Sequence, residues 1–313
     1  MSGLVGLFVY GLLSGGFVIP GVLVKTASGQ IPYTIVHLSI LVILIADFIV
    51  RFKDPEEKRK TWPIKTFFQQ MGFVIGGGLF VFLLARTFGI SSVVLSSVVG
   101  IFVGSLWPAF ATAAFCGSFV GMASPDLFCS GSLFLATLFA SVMFYIGGRN
   151  YLGIGGKLGT TAFFGVLLMA LIQGKSLIEP WNPDGKILPV LIVLGAVGCL
   201  ATYYCSEKRK MGPVVGSGIV GIVGGILLPL LDPTYGALYA NLVFCASFAG
   251  MASRRILQRW PLFAISGALC GLLFYLTRSY FDGIGGKLGT IAFVSVLVVQ
   301  FAFRPLIRAW KSA

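Results

Sequence analysis

The chain has 313 residues, 57% of them hydrophobic and 11% charged, with a mean hydropathy of +0.96. Soluble domains carry about 25% charged residues, so a soluble enzyme, a disordered chain and a disulfide-stapled secreted domain are ruled out in favour of an all-α polytopic membrane protein. The net charge of +13 falls in short clusters between apolar runs, a pattern that suits loops facing anionic lipid: the expected partner is the lipid bilayer, not nucleic acid.

Met1 to Lys25 is apolar from its third residue, with no basic residue ahead of the apolar run. It reads as a retained first span rather than a cleavable signal, and no soluble domain is expected at either end. At about 20 residues per crossing, candidate spans lie near 2–24, 31–50, 67–88, 91–107, 109–124, 128–147, 152–173, 187–205, 213–231, 236–253, 261–277 and 282–303. That makes about 12 transmembrane segments, one or two of them short enough to be half-helices. Only Trp107-Pro108 separates the fourth and fifth, so a tight turn or a broken helix is expected there.

Basic residues set the orientation. Arg51 to Lys60 with Lys65, Lys208 to Lys210, Arg254, Arg255, Arg259 and the tail Arg304, Arg308 and Lys311 fall on one side if both termini are cytoplasmic. With Arg149 and Lys157, that side holds 17 of the 23 basic residues; Lys25, Arg86, Lys175, Lys186, Arg278 and Lys287 are left on the other. Short loops favour a bacterial inner membrane.

The chain contains a duplication. Phe115-Cys-Gly-Ser-Phe-Val-Gly-Met-Ala-Ser124 recurs as Phe244-Cys-Ala-Ser-Phe-Ala-Gly-Met-Ala-Ser253, and Gly153-Ile-Gly-Gly-Lys-Leu-Gly-Thr160 as Gly283-Ile-Gly-Gly-Lys-Leu-Gly-Thr290. Upstream, Val99-Gly100-Ile101, Gly104, Leu106 and Pro108 match Val220-Gly221-Ile222, Gly225, Leu227 and Pro229 in the same order. The resulting division is 1–66, two extra helices and a basic loop; 67–174, the first repeat; 175–186, an extracytoplasmic linker; 187–304, the second repeat; and 305–313, a tail. Each repeat holds five spans, and an odd number inverts the second copy. The expected architecture is thus a 5+5 inverted-topology repeat, a plan whose binding sites lie near the midplane at the repeat interface. The first two spans fall outside this symmetry and suit a peripheral pair or the contact of a homo-oligomer.

The repeated motifs supply the candidate site. If the glycine-rich stretch is helical, 152–173 and 282–303 are just long enough to cross, and Lys157 and Lys287 lie about 7 Å inside the boundary. An ammonium with Gly155, Gly156 and Thr160, or Gly285, Gly286 and Thr290, at a helix N-terminus favours an anion or an oxygen-bearing solute. The competing reading has the lysines snorkelling to headgroups and the glycines packing helices. A nucleotide-binding loop is excluded, because Leu158 and Leu288 stand where Ser or Thr is required. Ser118 and Ser247 are candidates to present hydroxyls to a solute, or to serve a tight helix crossing. Phe115, Phe119, Phe244 and Phe248 suit apolar gates or plain core.

The six cysteines show no metal or disulfide spacing and read as packing residues, so no metal or cofactor is expected. Asp47 is the one carboxylate within an apolar run, and His37 lies ten residues from it, about 15 Å along a helix and too far for a dyad. Carboxylate-based proton coupling is therefore weakly supported. The expected function is a transporter or channel for a small solute, an anion or a small polar molecule, and not an enzyme. A scaffold subunit of a membrane complex is the alternative; a lipid-phosphate enzyme is a weaker one. A solvent-lined cavity at the repeat interface favours transport, and a dry interface favours the scaffold.

Overall fold

The computed structural model describes residues 2–27, 30–53, 64–148, 150–178 and 185–306. Residues 54–60 of the basic cluster, Arg149, Glu179 and Asp184 of the linker, Arg308, Lys311 and the side chain of Lys65 lie outside that description.

Every regular element among the described residues is helical. The helices are α1 (Ser2–Ala27), α2 (Ile31–Phe52), α3 (Ile64–Phe88), α4 (Ser92–Leu106), α5 (Ala111–Val120), α6 (Ser130–Gly147) and α7 (Lys157–Ile172). They continue as α8 (Leu188–Tyr203), α9 (Pro213–Leu231), α10 (Gly236–Gly250), α11 (Trp260–Leu276) and α12 (Lys287–Ala302). Six stretches, Leu4–Thr26, Ile31–Phe52, Thr66–Phe88, Ser130–Gly147, Gly185–Lys208 and Pro213–Leu231, are long and apolar enough to cross a membrane. This is the make-up of an integral membrane protein.

Between α4 and α5 the chain makes a 3-10 turn at Pro108–Phe110. Proline cannot continue the preceding helix, and Phe110 stacks on Phe73 of α3 with ring centroids 4.3 Å apart. The sequence-based expectation of a break at Trp107-Pro108 corresponds to this turn.

The expectation for 152–173 and 282–303 needs correcting. The glycine-rich stretches are turns, and the helices begin only at Lys157 and Lys287, with 16 residues each. At 1.5 Å per residue that is about 24 Å, short of a hydrocarbon core of about 30 Å. The cause is local: Gly156 and Gly286 cap the two helices at φ 81° and 86°, a left-handed backbone that glycine adopts without steric cost.

Corresponding helices of the two repeats take corresponding partners. α3 packs on α5 and α6, as α8 packs on α10 and α11; α4 meets α9, and α7 meets α12, across the seam. At that last crossing Gly159 faces Gly289, and a methyl group on either would overlap the other's backbone. Small residues of this kind let helix backbones touch in an apolar solvent.

One side of the α1–α2 hairpin packs against the seam. Tyr10 and Phe17 sit seven residues apart, two turns along one face of α1. The Tyr10 ring packs 5.5 Å from Tyr151 and 5.7 Å from Phe293. The Phe17 ring packs 5.6 Å from both Phe281 and Phe163. Tyr151 and Phe281 occupy the same position in the two repeats, and both have a left-handed backbone, at φ 51° and 58°. For an aromatic residue that conformation costs about 1–2 kcal/mol, and the ring packing holds it. α2 is tied to the same loops by polar contacts. Arg51 donates to Asp47 Oδ2 (2.7 Å) and Gln300 Oε1 (2.8 Å) and lies 4.7 Å over the Tyr151 ring. Buried His37 meets the Tyr280 hydroxyl at 3.1 Å through Nε2 and the Tyr33 carbonyl at 2.8 Å through Nδ1.

Candidate functional site

Two cavities flank the crossing of α7 and α12. One, about 310 Å³, is lined by the Gly153–Gly159 turn with Lys157, Tyr10, Thr112, Phe144, Leu152 and Met251. The other, about 270 Å³, is lined by Asp282 and the Gly283–Gly289 turn with Lys287, Ser92, Ser124 and Asn241. The residues common to both linings are Phe119 and Phe248. Their rings lie 4.6 Å apart and are extended by Phe115 and Phe244, which sit 4.4 Å and 4.5 Å from Phe119 and Phe248 respectively. All four rings are buried, so an aromatic partition separates the two spaces.

Each glycine-rich turn is held by the opposite repeat. The Ser124 amide donates to the Gly283 carbonyl at 2.9 Å, and the Ser253 amide to the Gly153 carbonyl at 2.8 Å. Gly155 lies against the carbonyls of Phe248 and Ala249, and Gly285 against those of Phe119 and Val120. A side chain on either glycine would overlap those oxygens. The thiols of Cys116 and Cys245 donate to the Leu158 and Leu288 carbonyls at 3.3 Å and 3.1 Å, pinning α5 to α7 and α10 to α12.

Both lysines stand at the first position of their helices and are 9% exposed. Lys157 Nζ donates to the Gly148 carbonyl at 2.6 Å and lies 5.7 Å from the centre of the Tyr10 ring. Lys287 Nζ is 3.9 Å from Asp282 Oδ1, on a side chain that is largely exposed. The first repeat has Leu152 where the second has Asp282.

The other sequence candidates fall away from the cavities. Thr160 and Thr290 are fully buried, and their hydroxyls donate back to Gly156 and Gly286 at 3.4 Å and 3.2 Å. Ser118 donates to Phe115 O at 2.8 Å. Ser247 donates to Phe244 O at 2.6 Å and pairs with Ser217 of α9 at 2.7 Å. Thus Lys157, Lys287 and the glycines come together around the cavities, whereas Thr160, Thr290, Ser118 and Ser247 serve the helices that carry them.

Tyr10, Thr112 and Asn241 line the cavities without having been singled out in the sequence. Thr112 and Asn241 were detectable as a polar pair at equivalent repeat positions, three residues before Phe115 and Phe244. Tyr10 carried no such signal; its hydroxyl is 2.6 Å from Thr161 Oγ1. Among the described residues no three His, Cys, Asp or Glu side chains gather as a metal-binding group.

Compared with known protein families, with curated proteins and with solved structures, the chain gives no match.

Proposed function

We propose that the protein is an integral membrane transporter or channel that moves a small solute, an anion or a small polar molecule, between two inverted repeats. The observation that carries this reading is the pair of equivalent cavities, each with a nearly buried lysine, meeting only at the Phe119–Phe248 partition. The reciprocal hold of each glycine-rich turn on the other repeat supports a two-fold relation between α3–α7 and α8–α12. In this reading each repeat crosses the membrane an odd number of times, which puts the axis of that relation in the membrane plane and opens the cavities to opposite faces. A buried ammonium in each is costly in a bilayer and is characteristic of a solute pathway.

In this reading both termini face the cytoplasm, the membrane is a bacterial inner membrane, and the Phe quartet is the barrier that must open or rearrange for passage. A scaffold role is less well supported, because a scaffold has no need of two lysine-bearing cavities at its repeat seam. Flux into proteoliposomes, measured with Lys157 and Lys287 replaced singly by Ala and by Arg, tests the proposal. Loss of flux of about tenfold with Ala and partial retention with Arg are expected. Unchanged flux in all four variants would make the lysines structural.

A further inference from the structure

We propose that the Lys157 cavity recognises a small organic monoanion, one carboxylate carried on an apolar body. The inference rests on the pathway reading above and specifies its substrate class. Among the described residues that line the cavity, Lys157 is the one with a cationic side chain, and none carries a carboxylate. Phe119, Phe144, Phe248, Leu152 and Met251 line the same space, with Tyr10, Thr112, Thr161 and the backbone of the glycine-rich turn as its other polar groups. A solute entering there exchanges water mostly for rings and aliphatic groups.

That environment discriminates between anions. Phosphate or sulfate carries oxygens on every side and would turn some of them toward those rings and aliphatic groups, where they find no hydrogen-bond donor, and leaving such groups unpaired is what sites of this kind reject most strongly. A divalent anion would also meet one compensating charge among the described lining residues. A carboxylate uses its oxygens at Lys157 and the Thr112 hydroxyl, while its apolar body fills the remainder. The size is suitable: an apolar cavity of about 150 Å³ takes up benzene, so about 310 Å³ accommodates a ring together with a carboxylate.

The Lys287 cavity is built otherwise. Ser92, Ser124 and Asn241 line it, and Asp282 stands 3.9 Å from the ammonium. A carboxylate beside the lysine competes with an incoming anion for the same charge. That side therefore holds a monoanion more weakly and serves as the side of release.

Calorimetric titration of the full chain in lipid nanodiscs with benzoate, benzamide and inorganic phosphate tests the assignment. Benzoate is expected to bind at least tenfold more tightly than benzamide, which lacks the charge, and than phosphate, which lacks the apolar body. Lys157→Gln is expected to abolish that preference and Lys157→Arg to retain part of it, with thermal melting showing both variants folded. Equal binding of benzoate and benzamide, tighter binding of phosphate, or unaltered benzoate binding by Lys157→Gln would overturn the proposal. Flux in proteoliposomes separates the two levels of failure. Lysine-dependent passage of chloride or phosphate without benzoate leaves the pathway standing and removes the substrate class. No passage of any of the three, together with no binding, removes both.

Discussion

The Lys157 and Lys287 cavities share an eight-residue motif and a left-handed glycine cap, yet they differ where neighbouring segments meet them. On the first side α1 contributes Tyr10, and Leu152 leaves the rim apolar. On the second, Asp282 and Asn241 make the wall polar. A duplicated backbone thus fixes where two lysines sit, while residues outside the repeated motif set the character of each cavity wall. The α1–α2 hairpin follows the same rule. It engages the equivalent residues Tyr151 and Phe281 through ring contacts, edge-to-face at the first and stacked at the second, and is tied to one loop by Arg51 and to the other by His37 and Tyr280.

If the shared framework is what matters most, its central crossing should be the least tolerant point. Gly159→Val and Gly289→Val each push a side chain into the opposing backbone, and overpacking at its most severe costs about 3 kcal/mol or more. Both variants are expected to lose most of their folded, monodisperse yield, and to similar extents. A large difference between them would mean that the two halves are not equivalent at the seam.

The hairpin should come next. Arg51→Ala leaves the buried carboxylate of Asp47 without its 2.7 Å partner, a loss of about 2–3 kcal/mol after allowance for the partial exposure of the arginine. Adding Asp47→Asn to that variant removes the stranded charge, so thermal melting of the double variant should recover part of the loss. Without such recovery, the effect of Arg51 lies in its contacts with Tyr151 and Gln300.

A smaller change, confined to one side, is expected from Tyr10→Phe. It deletes the hydroxyl paired with Thr161, at a cost of about 1 kcal/mol. Binding at the Lys157 cavity should shift while the Lys287 side keeps its properties.

The all-helical architecture was legible in the sequence because apolar runs separated by basic clusters have few other solutions in a bilayer. The duplication could be read from three ordered matches, and it led to both lysines. The glycine-rich segments were read as helix because their length suited a crossing; what decides their shape is positive φ at Gly153, Gly156, Gly283 and Gly286, which hydropathy does not register. Thr160, Thr290, Ser118 and Ser247 share the motifs of the site but point their hydroxyls at their own helices. In an apolar segment a hydroxyl facing a solute and one bonded back to the preceding turn look the same in sequence. The hairpin has no repeat partner, so nothing in the sequence ties it to the site, and only packing reveals Tyr10 at the cavity wall.

The central claim, that the two repeats run in opposite directions through the membrane, is open to direct measurement with a thiol reagent that cannot cross it. Cys129 is exposed at the start of α6, in the loop that follows Ser124. Its neighbour Ser132 and the first amides of that helix hold its thiol down to about 7. Thiolate therefore forms as pH rises through neutrality, and labelling should level off by about pH 8 rather than climbing further. The counterpart is Arg255→Cys in a Cys129→Ser background, in the exposed loop that follows Ser253. Labelling of Cys129 only from outside intact cells, and of the position-255 thiol only after the inner face is exposed, is the predicted result. Labelling of both from the same side would contradict the inverted arrangement and, with it, a path leading from one lysine cavity to the other.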